Sequence, residues 1–384
     1  MDTSAVSKRI QELLPAIRKR REEIEKGRRM PRDLVEQLSG TGVFAQGVPR
    51  AVGGNEAAPL DLMRAVESVA TADGSAGWCT MIGTSGNIAA GYMPESGAKE
   101  VFTNPAAPTA GIAAPSGAAT RVDRGVRVSG RWSFASGITH CDWVFAGCLV
   151  MDDGKPRMTP HGPEMIHVWL PVADVTIHDT WYVSGLCGTG SNDFSATDVF
   201  VPEQRIFALI DPAGHRPEPL YQMPPVGMFV YQVVCVSLGI ARAALDELAE
   251  MAQTKVPTLY MQVLADKPVV QVDLARAEAE LGAARAFLFE TVEEMWDTVR
   301  SGKAPSSRLI ARARIAATHA AETAARVTRT AATLAGGSAI YNASPMQRHA
   351  RDAEAITHHF TVAPYSWEEA GRVFLGRQPT TPVF

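Results

Sequence analysis

A chain of 384 residues is longer than the roughly 250–300 at which a single hydrophobic core stops growing, so two or three packed subdomains are expected. Its 37 Lys and Arg against 41 Asp and Glu give a net charge of −4 with both signs interspersed, which supplies no electrostatic basis for a nucleic-acid or anionic-membrane partner. The five cysteines, Cys79, Cys141, Cys148, Cys187 and Cys235, form no C-x-x-C pair and accompany no histidine spacing suited to zinc, so no metal site is expected and a reducing cytoplasm suits them.

The amino terminus, Met1-Asp2-Thr3-Ser4, lacks the cationic and then apolar profile of a secretory signal. No apolar run approaches the roughly 20 residues that a membrane span requires. From Ala5 to about Lys26, Val6, Ile10, Leu13, Leu14 and Ile17 recur at helical spacing, which predicts one amphipathic helix. Its basic run Arg18-Lys19-Arg20-Arg21, followed by Glu22, Glu23 and Glu25, reads as a solvated face. A second helix starts near Pro31 and ends at Gly40, and a third runs from about Pro59 through Val69. The nearly uncharged stretch from Ser75 to Met93 is expected to be a helix buried on most sides.

Past Ala107 the period changes. Residues 120–134 alternate polar and apolar around Gly125, as a hairpin does, and Trp143–Val150, Ile166–Pro171, Val175–Thr180 and Ala196–Val201 are further strand candidates. These predict a small β-barrel or sandwich. From Val226 the helical period returns, with long helices expected over Val230–Gln253, Pro268–Ser301 and Ser306–Ala335 that assemble as a four-helix bundle. The fold class is therefore multidomain α+β: an N-terminal helical domain (1–106), a central β domain (107–210) and a C-terminal bundle (211–384). That order excludes alternating βαβ folds and the strand–glycine–helix dinucleotide fingerprint. Ser96-Gly-Ala-Lys99 matches S-x-x-K but has no S-D-N or K-T-G partner, and no Walker loop, G-x-S-x-G or H-E-x-x-H occurs.

The stretch Gly130-Arg-Trp-Ser-Phe-Ala-Ser-Gly137 carries most of the chemistry. Alternation puts Trp132 and Phe134 on one face of a strand, and Ser136-Gly137 forms a turn where backbone and a hydroxyl can approach a flat ligand. Taken with Asp73-Gly-Ser-Ala-Gly-Trp78, Gly185-x-Cys-Gly-Thr-Gly-Ser-Asn-Asp193, Leu264-Ala-Asp-x-Pro-x-Val-Gln271 and Ser344-Pro-x-Gln-Arg348-x-x-Arg351-Asp352, the chain resembles the acyl-CoA dehydrogenase fold along nearly its whole length. Within it the chain is similar to the group D flavin-dependent monooxygenases, aromatic hydroxylases that work with a separate flavin reductase.

The resemblance implies reduced FMN or FAD delivered by that reductase, O2 as cosubstrate, a flavin C4a-hydroperoxide, and hydroxylation or epoxidation of a small aromatic or heteroaromatic compound of phenol or indole type. It implies a homotetramer. Where dehydrogenases commonly carry a carboxylate base soon after the Arg-Asp pair, this chain reads Arg351-Asp-Ala-Glu-Ala-Ile-Thr-His-His-Phe, so His359, and second His358, take the catalytic place. A neutral imidazole can donate to or exchange a proton with a peroxide or a substrate hydroxyl near neutrality. By the same resemblance Ser136 and Gly137 lie along the flavin edge near N5, Trp132 and Phe134 stand as wall with packing on the ring as the alternative, and Pro115-Ser116-Gly117 adds backbone groups. Lys255, Gln271 and Arg348 are the candidates for cofactor phosphate or subunit contacts. The stretch from Gly188 to Asp193 is read as a flavin-adjacent or substrate-adjacent turn. One departure is that Gly86 stands where many relatives carry a histidine eight residues after the Gly-Trp pair, leaving Thr84, Ser85 and Asn87 as the nearest polar groups. His140 and Trp143 are candidates for the pocket mouth or the core. The rival expectations are an acyl-CoA dehydrogenase or flavin oxidase, and a flavin-free binding protein on the same scaffold.

Overall fold

The computed structural model describes residues 3–160, 162–210 and 215–381. The expected boundary after residue 210 adjoins residues 211–214, which lie outside the described set, as do the chain's first two and last three residues. The first block holds α1 (Thr3–Lys19), α2 (Arg21–Gly27), α3 (Arg32–Thr41), α4 (Pro59–Ala72), α5 (Gly74–Asn87) and α6 (Glu95–Val101). The single helix expected up to Lys26 is broken at Arg20, whose φ of −103° and ψ of 9° leave the helical region. The break turns Arg21 inward instead of leaving it on a solvated face. Arg21 is buried, donates to the carbonyls of Ala72 and of Thr71 (3.2 Å), and pairs with Glu247. A guanidinium at the C-terminus of α4 meets the negative end of that helix. Asp73 then caps α5 by accepting from the Ala76 N–H at 2.9 Å.

The central block is one eight-stranded mixed sheet rather than a closed barrel. Its strands are β1 (Ala110–Val122), β2 (Gly125–Ala135), β3 (Trp143–Asp152), β4 (Lys155–Pro156), β7 (Met165–Pro171), β8 (Thr176–His178), β9 (Asn192–Pro202) and β10 (Ile206–Phe207), and a separate small ladder joins β5 (Met158–Thr159) to β6 (Gly162–Pro163). The order along the sheet is β10-β7-β3-β1-β2-β9-β8, with β4 on β3. The expected hairpin is present: β1 and β2 pair antiparallel with Val122 opposite Gly125. β1 and β3 run parallel, and their register slips between Ile112 and Gly117.

The third block is α7 (Pro225–Ala252), α8 (Pro268–Arg300), α9 (Ser307–Ala335), α10 (Pro345–Thr357) and α11 (Tyr365–Phe374). α7 corrects the expectation that no stretch is long and apolar enough to cross a membrane, since by length and composition it is. It is a core helix, with 89% of its apolar window buried. One hydrophobic core runs continuously from α4 and α5 through α7, α8 and α9 to Ile356 and Val362. The first and third blocks therefore share one core, which also takes in Trp169 and Phe207 of the sheet, while α1–α3 form a second core with α4 and α5.

Candidate active site

The three blocks meet at Trp78, in the second turn of α5. Its indole Nε1 donates to Ser136 Oγ at 3.0 Å, and its ring lies edge-on to the His359 imidazole with centroids 5.5 Å apart. The two residues singled out first from the sequence are thus joined through one indole. Phe229 of α7 and Phe360 complete the aromatic surround of His359, at 5.7 and 4.8 Å between centroids. His358 is exposed and stands outside this cluster.

Ser136 is held by a file of hydroxyls. Its Oγ is 2.6 Å from Ser191 Oγ, which is 2.6 Å from Thr189 Oγ1, which donates to the Leu186 carbonyl at 2.9 Å. All three hydroxyl residues are at most 4% exposed. The Gly137 N–H donates to the Thr189 carbonyl at 2.9 Å, and Gly137 itself needs a left-handed φ of +78°. The segment from Gly185 to Asn192 is buried throughout. It is pinned at Leu186, whose N–H donates to Asp352 Oδ1 (2.6 Å), and at Gly188, whose N–H donates to Ser75 Oγ (3.1 Å). The stretch read as a ligand-adjacent turn therefore supports the site from behind.

His359 is fixed by its neighbour two residues on. Thr361 N–H donates to Nδ1 at 3.4 Å, and the Thr361 hydroxyl is 2.8 Å from the same nitrogen. A backbone N–H cannot accept, so Nδ1 holds the lone pair and the ring proton sits on Nε2 as a donor. Burial pushes the imidazole down to about 4, so it is neutral at pH 7.

Several expected ring contacts are placed differently. Trp132 and Phe134 do not share a face: Trp132 is wholly buried, donating to the Gly147 carbonyl at 2.8 Å and stacked on Phe194, whereas Phe134 is 68% exposed. The alternation fails because Phe134 takes a φ of +68° and the β2–β9 register slips between Trp132 and Ala135. Trp132 is thus wall and not contact. Gly117 lies under it, where an added Cβ would stand 2.2 Å from the Trp132 ring. Pro115 and Ser116 belong to an exposed run, Ala113 to Ser116, that falls in the register slip and pairs with neither β2 nor β3 in the ladder.

Lys255, Gln271 and Arg348 are not brought to the cluster. Lys255 Nζ is tied to the Ala335 carbonyl and to Ser338, Gln271 is exposed and donates to the Ala265 carbonyl at 2.8 Å, and buried Arg348 lies 3.6 Å from Glu25. His140 is packed beneath Gly137 with Nδ1 buried and unbonded, and Trp143 lies under the Arg205 guanidinium at 4.9 Å. His140 is thus a packing neighbour of the turn.

Every residue of α5 is buried except Ile82 and Ser85, which with Trp78 form one stripe at helical spacing. The less covered side of this core helix is therefore the one that carries Trp78, whose ring meets His359. The other polar groups near Gly86 are taken: Thr84 donates to Gln232 at 2.7 Å, and Asn87 donates to the Phe44 and Ala107 carbonyls at 3.0 Å. A Cβ at Gly86 would stand 2.8 Å from Thr109 Oγ1 and displace the hydroxyl that donates to Asn87 Oδ1. Ser85 is taken as well, its hydroxyl donating to the Met81 carbonyl at 2.6 Å, so the stripe presents no charged side chain.

The family model described as "Acyl-CoA dehydrogenase, N-terminal domain" matches residues 5–101, and "Acyl-CoA dehydrogenase, C-terminal domain" matches residues 231–364. An indole-3-acetate monooxygenase of Pseudomonas putida is 36% identical over 363 residues, covering 93% of this chain and 90% of that protein. The chain belongs to the acyl-CoA dehydrogenase family. Within the acyl-CoA dehydrogenase family it falls in the flavin-dependent monooxygenase branch. The oxygenase subunit HsaA of a flavin-dependent monooxygenase from Rhodococcus jostii strain RHA1 is 31% identical, covering 93% of this chain and 94% of that one. The crystal structure of the HsaA monooxygenase from Mycobacterium tuberculosis superposes with a TM-score of 0.92 at 29% identity, covering the whole of both chains.

The residues present fit a flavin on their own chemistry. The Ala114–Ser116 edge, outside the ladder, exposes backbone carbonyls and the Ala114 and Ser116 N–H groups suited to a heteroaromatic rim, Phe134 offers an exposed ring, and Ser136 and His359 bring a hydroxyl and an N–H donor to the same indole. Sequence reasoning quoted Trp78, Thr189 and Ser191 within motifs without giving them roles, and missed Phe229 and Thr361. Trp78 was discoverable as the one large aromatic in an otherwise small-residue buried helix.

Proposed function

We propose that the protein is the oxygenase component of a two-component monooxygenase, taking reduced FMN or FAD from a separate reductase and hydroxylating or epoxidising a small heteroaromatic compound of indole type. One oxygen atom of O2 enters the substrate and the other leaves as water. When bound, the reduced flavin supplies the two electrons this balance requires. The observation that carries the reading is the neutral His359, its Nε2–H free to donate, facing Trp78 beside Ser136. In this role His359 donates to the reacting oxygen, Ser136 and Gly137 meet the ring edge, Ala114–Ser116 hold its polar rim, and the aromatic surround excludes water. Indole is favoured over phenol because Gly86 leaves no base to deprotonate a hydroxyl and because a relative acts, by its name, on indole-3-acetate.

A dehydrogenase needs a carboxylate at the site. Asp352 is buried against the Leu186 N–H, and Glu354 is exposed and paired with Arg329 at 2.7 Å, and neither has a contact with His359, Trp78 or Ser136. We further propose a cytoplasmic homotetramer. The test is turnover with a flavin reductase, NADH and labelled O2 over a panel of indoles and phenols. One labelled oxygen is expected in an indole product, and His359→Ala is expected to cut product roughly 10²-fold while oxygen consumption is diverted to hydrogen peroxide. Absence of label from every product, or bleaching of bound FAD by an acyl-CoA, would overturn the reading.

A further inference from the structure

The Ala113 carbonyl takes a hydrogen bond from across the sheet. His167 of β7 stands opposite Gly147 of β3, and its Nε2 reaches past that glycine to within 3.1 Å of the Ala113 oxygen on β1. A carbonyl only accepts, so the imidazole proton sits on Nε2. Nδ1 then carries a buried lone pair that meets no donor among the described residues. Burial keeps the ring neutral, with its pKa pushed down to about 4, so it has one proton to give and gives it to Ala113. The slot is otherwise aromatic: His167 stacks on Phe207 with centroids 5.2 Å apart, and Phe145 stands edge-on at 6.2 Å. A phenyl ring would fill it and leave no nitrogen unpaired. An imidazole there costs the desolvation of one nitrogen, and what it returns is the bond to Ala113.

Gly147 gives that bond its room. A Cβ on it would stand 2.4 Å from the Ala113 oxygen and 2.6 Å from the Ala114 oxygen, so both carbonyls are turned in over its bare Cα. In a planar trans peptide the C=O and the following N–H point opposite ways. Fixing the Ala113 oxygen therefore aims the Ala114 N–H away from β3, in a run that is exposed and outside both ladders. Pro115 contributes no N–H, so this donor stands alone between those of Ala113 and Ser116. We propose that His167 is a positioning residue for the cofactor: by holding the Ala113 oxygen it presents the Ala114 N–H, already oriented, to a carbonyl oxygen of the isoalloxazine ring. This rests on the reading that the Ala114–Ser116 edge meets the polar rim of the flavin. A donor fixed before the ligand arrives gives up no orientational freedom on binding. Without the His167 N–H, the peptide between Ala113 and Ala114 turns more freely and its donor is spent in part on water.

The test compares the full-length native protein with His167→Phe, which keeps the stack and loses the donor, and His167→Gln, which keeps an N–H. Each is titrated anaerobically with reduced FMN and FAD, and carbon-13 spectra are taken with the flavin labelled at both ring carbonyls. In the native protein one carbonyl resonance is expected downfield of its position in an aprotic solvent. His167→Phe is expected to move that resonance upfield and to weaken flavin roughly three- to tenfold, while the melting temperature holds or rises because the unpaired nitrogen is gone. His167→Gln is expected to restore much of both. A purely structural role predicts the reverse for His167→Phe, a lower melting temperature with resonance and affinity unmoved, and that result overturns the proposal. His167→Met takes the place of the Phe variant should the latter not fold. Carbonyl resonances at their aprotic positions in the native protein would instead sink the placement of the flavin rim on this edge, and no binding of flavin would sink the functional reading as a whole.

Discussion

His359 has its acid–base behaviour set by its surroundings. In an unfolded chain an imidazole takes a proton near its ordinary 6.5, while burial holds the folded residue neutral down to about 4. Between those values the unfolded state binds a proton that the folded state refuses, so this residue withdraws stability as the pH falls from 6.5 towards 4 and is silent above. His140 and His167 are pushed down to about 4 by the same cause, so the comparison must isolate one residue. The melting temperature of the native protein minus that of His359→Gln is expected to be flat above pH 7 and to decline steadily at pH 6 and 5. The pH profile of product formation should likewise show no limb near 6.5 from this residue. None of this is written locally in the chain: His358 and His359 are adjacent and alike in sequence, and only the backbone turn before Thr361 decides which ring faces Trp78.

At the scale of elements, the sequence's periods were legible wherever one face is buried. α3, α4, α8 and α9 begin and end within a few residues of where spacing and caps put them. They failed where a single residue leaves its ordinary conformation. Phe134 at φ +68° breaks the alternation of β2, and a strand pattern carries no mark of that event. A non-glycine residue there stores strain, and a ring 68% exposed returns little of it through burial. Phe134→Gly is therefore expected to leave the melting temperature unchanged or raise it by a few degrees, while weakening reduced-flavin binding several-fold. A drop in melting temperature would assign the ring to packing on Trp181, whose centroid lies 6.1 Å away. The hydroxyl file was illegible for a different reason: Ser136 and Ser191 are brought together across 55 residues by β2 and β9, and no local spacing encodes a contact at that separation.

At the scale of the molecule, the order of helical, sheet and helical blocks followed from periodicity alone, but whether the sheet closes depended on strand pairings that periodicity does not carry. The surface bears on assembly. Leu259 and Met261 are each 99% exposed in the connection between α7 and α8, with Tyr260 at 54%, and Ile340 and Tyr341 are 79% and 69% exposed after α9. The Lys255 tie to Ser338 draws these two segments to the same end of the bundle. Exposed apolar side chains of this kind fit the proposed tetramer, in which another subunit would cover them. Light scattering on the purified protein is expected to give a tetramer, and Leu259→Glu combined with Met261→Glu to give a smaller species with its fold intact by circular dichroism.

The Leu186 peptide unit has a consequence of its own. Its oxygen terminates the file that supports Ser136, while its nitrogen holds Asp352 of α10, the helix that leads directly to His359. Gly185 beside it lies so close to the Arg351 carbonyl that a Cβ would stand 2.4 Å away, which leaves no slack in the joint. A tilt of α10 imposed by a neighbouring subunit would therefore be felt on both flanks of Trp78 together, through a single amide.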